Sequence, residues 1–119
     1  MSEQGCLTTH ILDTAGGRPA AGVTIDLYRV NGDSREHMKT ATTNSDGRTD
    51  AALITEGALQ CGSYELVFQV GDYFAASGPK SAHPFIDIIP IRFGIDDHTS
   101  HYHVPLLVSP YSYSTYRGS

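Results

Sequence analysis

Apolar and polar residues alternate along much of the chain with a period of two. Val23, Ile25 and Leu27 are separated by polar residues. The same alternation returns between residues 64 and 70. A period of two is typical of β-strands that bury one face against a core. The pattern therefore predicts half-buried strands, and no segment shows the long stripe of an amphipathic helix.

Turn-forming residues such as Asn31-Gly32 and Gly78-Pro79 separate the alternating segments. One short helix is expected at 71–76, and the spacing favours an all-β, antiparallel sandwich of Greek-key type. With 119 residues, the chain fits a single domain, 1–119. About eight strands are predicted, near residues 6–13, 22–30, 36–43, 49–53, 63–70, 85–93, 101–108 and 111–117.

Pro90 and Pro105 fall inside two of these predicted strands. Proline has no N–H to donate to a strand ladder. We therefore expect each at an edge, at a bulge or where the missing N–H would point outward.

Composition narrows the classes of function. The chain carries 8 basic and 13 acidic residues, with a formal net charge of -5. Nucleic-acid binding is disfavoured because it usually needs a basic face. The two cysteines, Cys6 and Cys61, have no CxxC spacing, so two reduced thiols are favoured over one disulfide. The start shows no basic and apolar secretory pattern, and no stretch is apolar enough to cross a membrane, so a cytoplasmic protein is expected.

Three of the six histidines are predicted to face away from the core. If Tyr102 and Val104 point inward, His101 and His103 lie on the opposite face of their strand. By the same argument, His10 points outward when Leu7 and Ile11 on the first strand point inward. Two outward histidines from different strands could meet on one sheet face. A histidine at the surface often has no function, so spacing alone does not decide for catalysis.

A zinc site is a second interpretation of these residues. His101 and His103 flank one residue of a strand, and His98 or His10 could complete a ligand set. No HExxH, paired CxxC or calcium-loop motif supports this, so no metal and no cofactor are predicted. Motifs for a serine nucleophile, a phosphate loop and a dinucleotide site are also absent.

Arg48 follows the turn Asp46-Gly47 and stands where the next predicted strand begins, immediately before residue 49. There its guanidinium could bind a planar, carbonyl-rich or anionic ligand, or simply be solvated. Arg117 has the same ambiguity. The tail 111–119 is rich in tyrosine, whereas chain ends are normally frayed and polar. We expect this tail to pack, against another subunit in particular.

Several motifs together resemble the 5-hydroxyisourate hydrolases of the transthyretin-like family. The run His101-Tyr102-His103-Val104-Pro105 is one, and the ending Tyr116-Arg117-Gly118-Ser119 is the most specific. Upstream, residues 7–14 with Gly17-Arg18-Pro19-Ala20 resemble the family's first motif, and residues 43–48 resemble its second. The resemblance extends over essentially the whole chain in the expected order.

The resemblance implies a transthyretin-like (prealbumin-like) sandwich assembled as a homotetramer, with sites at the dimer–dimer interface. It implies hydrolysis of 5-hydroxyisourate to 2-oxo-4-hydroxy-4-carboxy-5-ureidoimidazoline in urate catabolism. His10, Arg48 and His103 would be catalytic: a histidine would activate water, and Arg48 would stabilise the oxyanion. Tyr116, Arg117 and Ser119 would bind substrate.

Two alternatives stay open at this point. The first is a thyroid-hormone carrier, which the resemblance disfavours because transthyretins proper lack the site histidines and the Tyr-Arg-Gly-Ser ending. The second is an inactive structural module whose histidines only bind metal.

Overall fold

The chain folds into strands that follow the alternating pattern, with one helix between two of them. A computed structural model describes residues 4–79 and 81–118. The elements within these ranges are β1 (Cys6–Asp13), β2 (Arg18–Pro19), β3 (Thr24–Asn31), β4 (Ser34–Thr42), β5 (Gly62–Gln69), α1 (Val70–Ser77), β6 (Ile88–Ile95), β7 (His101–Val108) and β8 (Tyr113–Thr115).

The strands form two four-stranded sheets. One sheet has the order β2-β1-β7-β8 and the other β4-β3-β5-β6. The chain leaves the first sheet after β2, builds the whole second sheet, and returns to place β7 beside β1. This long return confirms the predicted Greek-key sandwich. The prediction of purely antiparallel pairing is wrong for β1 and β7, which pair in parallel because the long crossover brings both strands in from the same end.

The core lies between the two sheets and consists of the inward set of each alternating strand. Leu7 and Ile11 of β1 are fully buried, as are Ile25 and Leu27 of β3 and Leu66 of β5. Burial of one such side chain contributes about 1.5–3 kcal/mol. Because every second residue is committed to this core, the residues between them must point outward.

The predicted strand at 49–53 is wrong. Its only pairings with β1 are isolated bridges at its two flanks, Leu7 with Ile54 and His10 with Arg48, and the N–H of Leu53 also donates to the carbonyl of Leu7. Between the bridges the chain bends outward, and the Thr49 hydroxyl donates a local hydrogen bond to the carbonyl of Ala51. Such local bonds compete with a strand ladder. The segment therefore covers part of the edge of β1 without joining the sheet.

The two strand prolines differ in their positions. Pro90 lies in β6, an edge strand, as predicted. Pro105 lies in β7, which has a neighbour on each side, so an edge position is wrong there. The ladder between β7 and β8 ends at Leu106, one residue from Pro105. The carbonyl of Pro105 still accepts a hydrogen bond of 2.7 Å from the Thr115 hydroxyl.

The predicted short helix is confirmed as α1, and it is tied to the first sheet. The Tyr73 hydroxyl donates a 2.8 Å hydrogen bond to Asp13, a buried carboxylate at the end of β1.

Cys6 and Cys61 are both free thiols, in agreement with the prediction. Among the described residues, no helix is both long and apolar enough to span a membrane.

Gly47 stands where the turn before Arg48 presses against β1. Its φ is +75°, in the left-handed region, and a Cβ there would lie 2.4 Å from the carbonyl oxygen of Ile11. The backbone of Ile11 is itself hydrogen-bonded to this turn, because the Ile11 N–H donates to the carbonyl of Gly47. Only glycine permits so close an approach.

Replacing Gly47 with alanine should therefore destabilise the fold by more than the conformational cost alone. Gly32 is the matched control, since its φ is +60° and nothing lies within 4 Å of its Cβ position. We expect Gly32→Ala to cost about 1–2 kcal/mol. Gly47→Ala should cost a further 1–3 kcal/mol or so, because the added methyl group overpacks the contact. Urea unfolding measures both, and equal losses would contradict the proposed contact.

Candidate active site

The pairing of β1 with β7 brings together residues that are far apart in the chain. In the parallel register, Thr8 lies beside His103 and His10 beside Pro105. Thr8, His10 and His103 are all partly exposed, whereas Leu7 and Tyr102 are buried. The prediction that His10, His101 and His103 face away from the core is thus confirmed. They lie on the outer face of the first sheet.

Thr8 links the two histidines of β7. Its Oγ1 lies 2.8 Å from Nε2 of His101 and 2.8 Å from Nδ1 of His103. The two ring centroids are 6.2 Å apart. One nitrogen of each ring is therefore hydrogen-bonded to the same hydroxyl group. A metal ion shared by these two nitrogens does not fit this arrangement. No group of three or more metal-ligating side chains is found in 4–79 and 81–118.

A tight turn presents Arg48 beside His10. Asn44 organises this turn: its side-chain oxygen accepts hydrogen bonds from the N–H groups of Asp46 and Arg48. The backbone N–H of Asn44 also donates to the carbonyl of Arg48, at 2.7 Å. The bridge between Arg48 and His10 places their side chains on the same face.

An open cleft of about 400 Å³ lies beside these side chains. Thr8, Arg48, Asp50, His101 and His103 line it, together with the irregular segment that follows Arg48. Neither His98 nor His10 lines this cleft, although His10 lies on the same sheet face. The cleft is wide enough for a small polar molecule and open to water. Basic side chains and hydroxyl groups dominate its wall, with Asp50 the single acidic group.

A larger depression lies at the far end of β1, but its chemistry is poorer. It has a volume of about 740 Å³ and is lined by Asp13, Phe74, Phe85 and Tyr111, among others. The carboxylate of Asp13 is already bound, by the Tyr73 hydroxyl and by the N–H of Gly16. The smaller cleft is therefore the candidate active site.

The electrostatics of the cleft act on His103. Its pKa is lowered from the ordinary value of 6.5, first by burial and then by the positive charges of Arg48, His101 and His10. Burial disfavours the charged imidazolium, and neighbouring cations disfavour it further. His103 is therefore a neutral imidazole at neutral pH, with a lone pair available to accept a proton.

The C-terminal segment packs against His103. The N–H of Gly118 donates a 2.7 Å hydrogen bond to the carbonyl of His103. A Cβ on Gly118 would lie 2.8 Å from Cδ2 of the imidazole, so glycine permits this close contact. The other predicted binding residues of the tail are not brought to the cleft within the single chain. The guanidinium of Arg117 lies 4.0 Å from the centre of the Tyr102 ring, Tyr116 is 61% exposed, and Ser119 lies outside the described residues.

The particular contacts of three residues in this neighbourhood were not predicted from the sequence. Thr8 could have been found, because it precedes His10 by two positions and so shares its face. Asn44 could have been found from the Asn-Ser-Asp-Gly turn pattern. The contact of Gly118 with the imidazole depends on tertiary packing, and no local pattern indicates it.

Taken together, these features define a β-sandwich whose candidate active site lies on an outer sheet face, away from the core. A family model described as the HIUase/Transthyretin family matches residues 7–118. The chain belongs to this family. The resemblance drawn from the motifs is confirmed, and so is the transthyretin-like fold.

Individual relatives agree with this assignment. The chain is 59% identical to 5-hydroxyisourate hydrolase 2 of Rhizobium meliloti (strain 1021), over 100% of both chains. It is similar to a crystal structure of (S)-allantoin synthase, with 47% identity and a TM-score of 0.91, covering 99% of this chain but only 45% of that one. It is also similar to transthyretin from Sparus aurata, with 29% identity, a TM-score of 0.82 and coverage of 94% and 95%.

The charge of Arg48 should be measurable through the titration of His103. We expect Arg48→Gln to raise the pKa of His103 toward 6.5 without reaching it, because burial remains the larger cause. Titration of the imidazole C–H resonances by NMR measures this. Arg92→Gln is the control, since Arg92 pairs with Glu65 in the other sheet. An unchanged His103 titration in Arg48→Gln would show that the guanidinium does not act on the ring.

Proposed function

We propose that this chain hydrolyses 5-hydroxyisourate to 2-oxo-4-hydroxy-4-carboxy-5-ureidoimidazoline in urate catabolism. The observation that carries the proposal is that His103 and Arg48 line one small open cleft, and the lowered pKa of His103 agrees with a role as a base. The relative from Rhizobium meliloti, identical at 59% of positions, supports the choice of substrate. No covalent nucleophile and no cofactor are required.

In the proposed reaction, His103 acts as a general base toward a water molecule in the cleft. The imidazole takes a proton as the water oxygen attacks a carbonyl carbon of the cyclic amide. The ring C–N bond then breaks, and the proton passes to the leaving nitrogen. A lowered pKa suits this role, because the base is already deprotonated at neutral pH. His10, which lies beside Arg48 but does not itself line the cleft, is proposed to help orient the water.

Arg48 is proposed to stabilise the oxygen of the attacked carbonyl. Negative charge develops on that oxygen during attack, and a guanidinium offers several donors in fixed geometry. Removal of one such donor typically costs about 2.7–4 kcal/mol of transition-state stabilisation. The Asn44 turn supports this role by fixing the backbone from which the Arg48 side chain extends.

We further propose a homotetramer with its sites at the dimer–dimer interface, and a cytoplasmic location. The outer face around the cleft includes partly exposed Leu12 and Leu107, which lie side by side. A neighbouring subunit that covers this face would exclude bulk water from the cleft. Tyr116, Arg117 and Ser119 are proposed to bind substrate once the cleft is closed in this way. The two free thiols support the cytoplasmic location.

A carrier function is the weaker candidate. Its support is the similarity to the transthyretin from Sparus aurata. The chain is 29% identical to that protein but 59% identical to the hydrolase from Rhizobium meliloti. A carrier also gives no reason for histidines joined by a hydroxyl group at an open cleft. Thyroxine binding without any acceleration of hydroxyisourate decay would favour the carrier.

Replacing His103 with alanine should abolish most of the hydrolysis. We expect kcat/KM to fall by about 100-fold or more, the usual contribution of a general base. Urate oxidase supplies the labile substrate, absorbance follows its decay, and the spontaneous rate is subtracted. His37→Ala is the control, because His37 lies on β4 in the other sheet. Decay in His103→Ala as fast as in the wild type would rule His103 out as the base.

A charge on the outer face should disrupt the proposed assembly. Leu107→Glu would bury a carboxylate at the interface without a partner, which is strongly unfavourable. Sedimentation should show a tetramer for the wild type and smaller species for Leu107→Glu, with parallel loss of hydrolysis. Met38→Glu is the control, since Met38 is 43% exposed on β4. A fully active wild-type monomer would contradict the interface site.

A further inference from the structure

We propose that Thr8 is a positioning residue of this reaction, whose hydroxyl group holds His103 in the tautomer that leaves Nε2 unprotonated. The inference rests on the proposed function, because it explains how His103 is prepared to act as a base. Thr8 would act through His103 and would not itself exchange protons with the water.

The backbone fixes the position of the Thr8 hydroxyl. Thr8 lies beside His103 in the ladder that joins β1 to β7, and its side chain is partly buried. A β-branched side chain has restricted rotation about χ1, so little rotational freedom is lost when the hydroxyl is held between two rings. At 2.8 Å from each imidazole, Oγ1 makes two hydrogen bonds of ordinary length.

Proton counting limits how these two bonds can form. A threonine hydroxyl has one hydrogen to donate and can accept from other donors. It cannot donate to both imidazoles at once. In the first arrangement His103 Nδ1 donates to Thr8 and the Thr8 hydroxyl donates to His101 Nε2. In the second, His101 Nε2 donates to Thr8 and the Thr8 hydroxyl donates to His103 Nδ1. A third arrangement, with both rings donating, leaves the hydroxyl hydrogen unused.

The surroundings of the His103 ring favour donation by Nδ1. Nδ1 faces Thr8, and the Cδ2 edge is packed against Gly118, which leaves Nε2 as the ring nitrogen on the open side. No hydrogen bond to this Nε2 forms within residues 4–79 and 81–118. Arg48 lines the same cleft, and its positive charge disfavours a second proton on the ring, so only one ring nitrogen of His103 is protonated.

The resulting arrangement is a directed chain of hydrogen bonds. His103 Nδ1–H donates to Thr8, and the Thr8 hydroxyl donates to Nε2 of His101. In this series of hydrogen bonds, His103 Nδ1–H and the Thr8 hydroxyl each donate once, and His101 Nε2 accepts. Nε2 of His103 keeps its lone pair for a proton from water. His101 therefore serves as the acceptor that orients the Thr8 hydroxyl, which gives this exposed histidine a role without contact with substrate.

The first test reads the tautomer directly and needs no substrate. Long-range ¹⁵N–¹H correlation spectra at neutral pH should show an unprotonated Nε2 and a protonated Nδ1 for wild-type His103. Thr8→Val keeps the β-branched shape but removes the hydroxyl, and it should shift the proton toward Nε2. Thr8→Ser should restore the wild-type tautomer. Thr24→Val, a partly buried position on β3 in the other sheet, should leave it unchanged.

The second test is kinetic. Thr8→Val should lower kcat about tenfold with KM little changed, the order of effect expected for one lost hydrogen bond, and Thr8→Ser should recover most of the rate. An unchanged His103 tautomer in Thr8→Val overturns the positioning role, whatever the rate. A wild-type protein that does not accelerate hydroxyisourate hydrolysis overturns the proposed function, whatever the spectra show.

Discussion

The candidate site depends on one long-range interaction, the parallel pairing of β1 with β7. The pairing runs without a break from Cys6 beside His101 to Asp13 beside Val108. A slip of one residue would turn every side chain of one strand to the other face. The buried Leu7, Ile11 and Leu106 prevent such a slip, because it would expose them to water. The core therefore sets the distance between Thr8 and His103, although neither residue belongs to it.

The second constraint is the backbone of the segment 47–54, which departs from regular strand geometry. It is attached to β1 at both ends, where the N–H groups of Ile11 and Leu7 donate to the carbonyls of Gly47 and Ile54. Between these attachments it bends away from the sheet and forms part of the wall of the cleft. A regular strand here would lie directly beside β1 and fill the cleft. The irregularity therefore makes room for a ligand while Arg48 stays beside His10.

The sequence was informative where a side chain's direction follows from strand periodicity alone. Leu7, Ile11 and Tyr102 had to point inward, so His10 and His103 had to point outward. The segment 49–53 was wrongly predicted as a strand, because the Thr49 hydroxyl bond and the bend depend on local geometry that the sequence pattern does not indicate.

Sequence periodicity alone could not place Arg48, and it could not place Arg117. Periodicity says nothing about which strand a turn will dock against, and the docking of Arg48 beside His10 follows from tertiary contacts of Gly47. Arg117 lies over the ring of Tyr102, a residue 15 positions away in the chain, and no local pattern indicates that contact. The expectation that Arg117 binds substrate came from the family resemblance and stays a prediction.

The separation of site and core explains how one sandwich can serve proteins with different names. The fold is shared with a transthyretin at 29% identity and a TM-score of 0.82. Its stability resides between the sheets, in residues such as Ile25 and Leu66 that have no contact with the cleft. Thr8, His10 and His103 occupy the outward positions of strands whose inward positions are already committed. Their replacement is therefore expected to remove the proposed chemistry and to leave the inward packing in place, which is why the fold alone does not identify an activity.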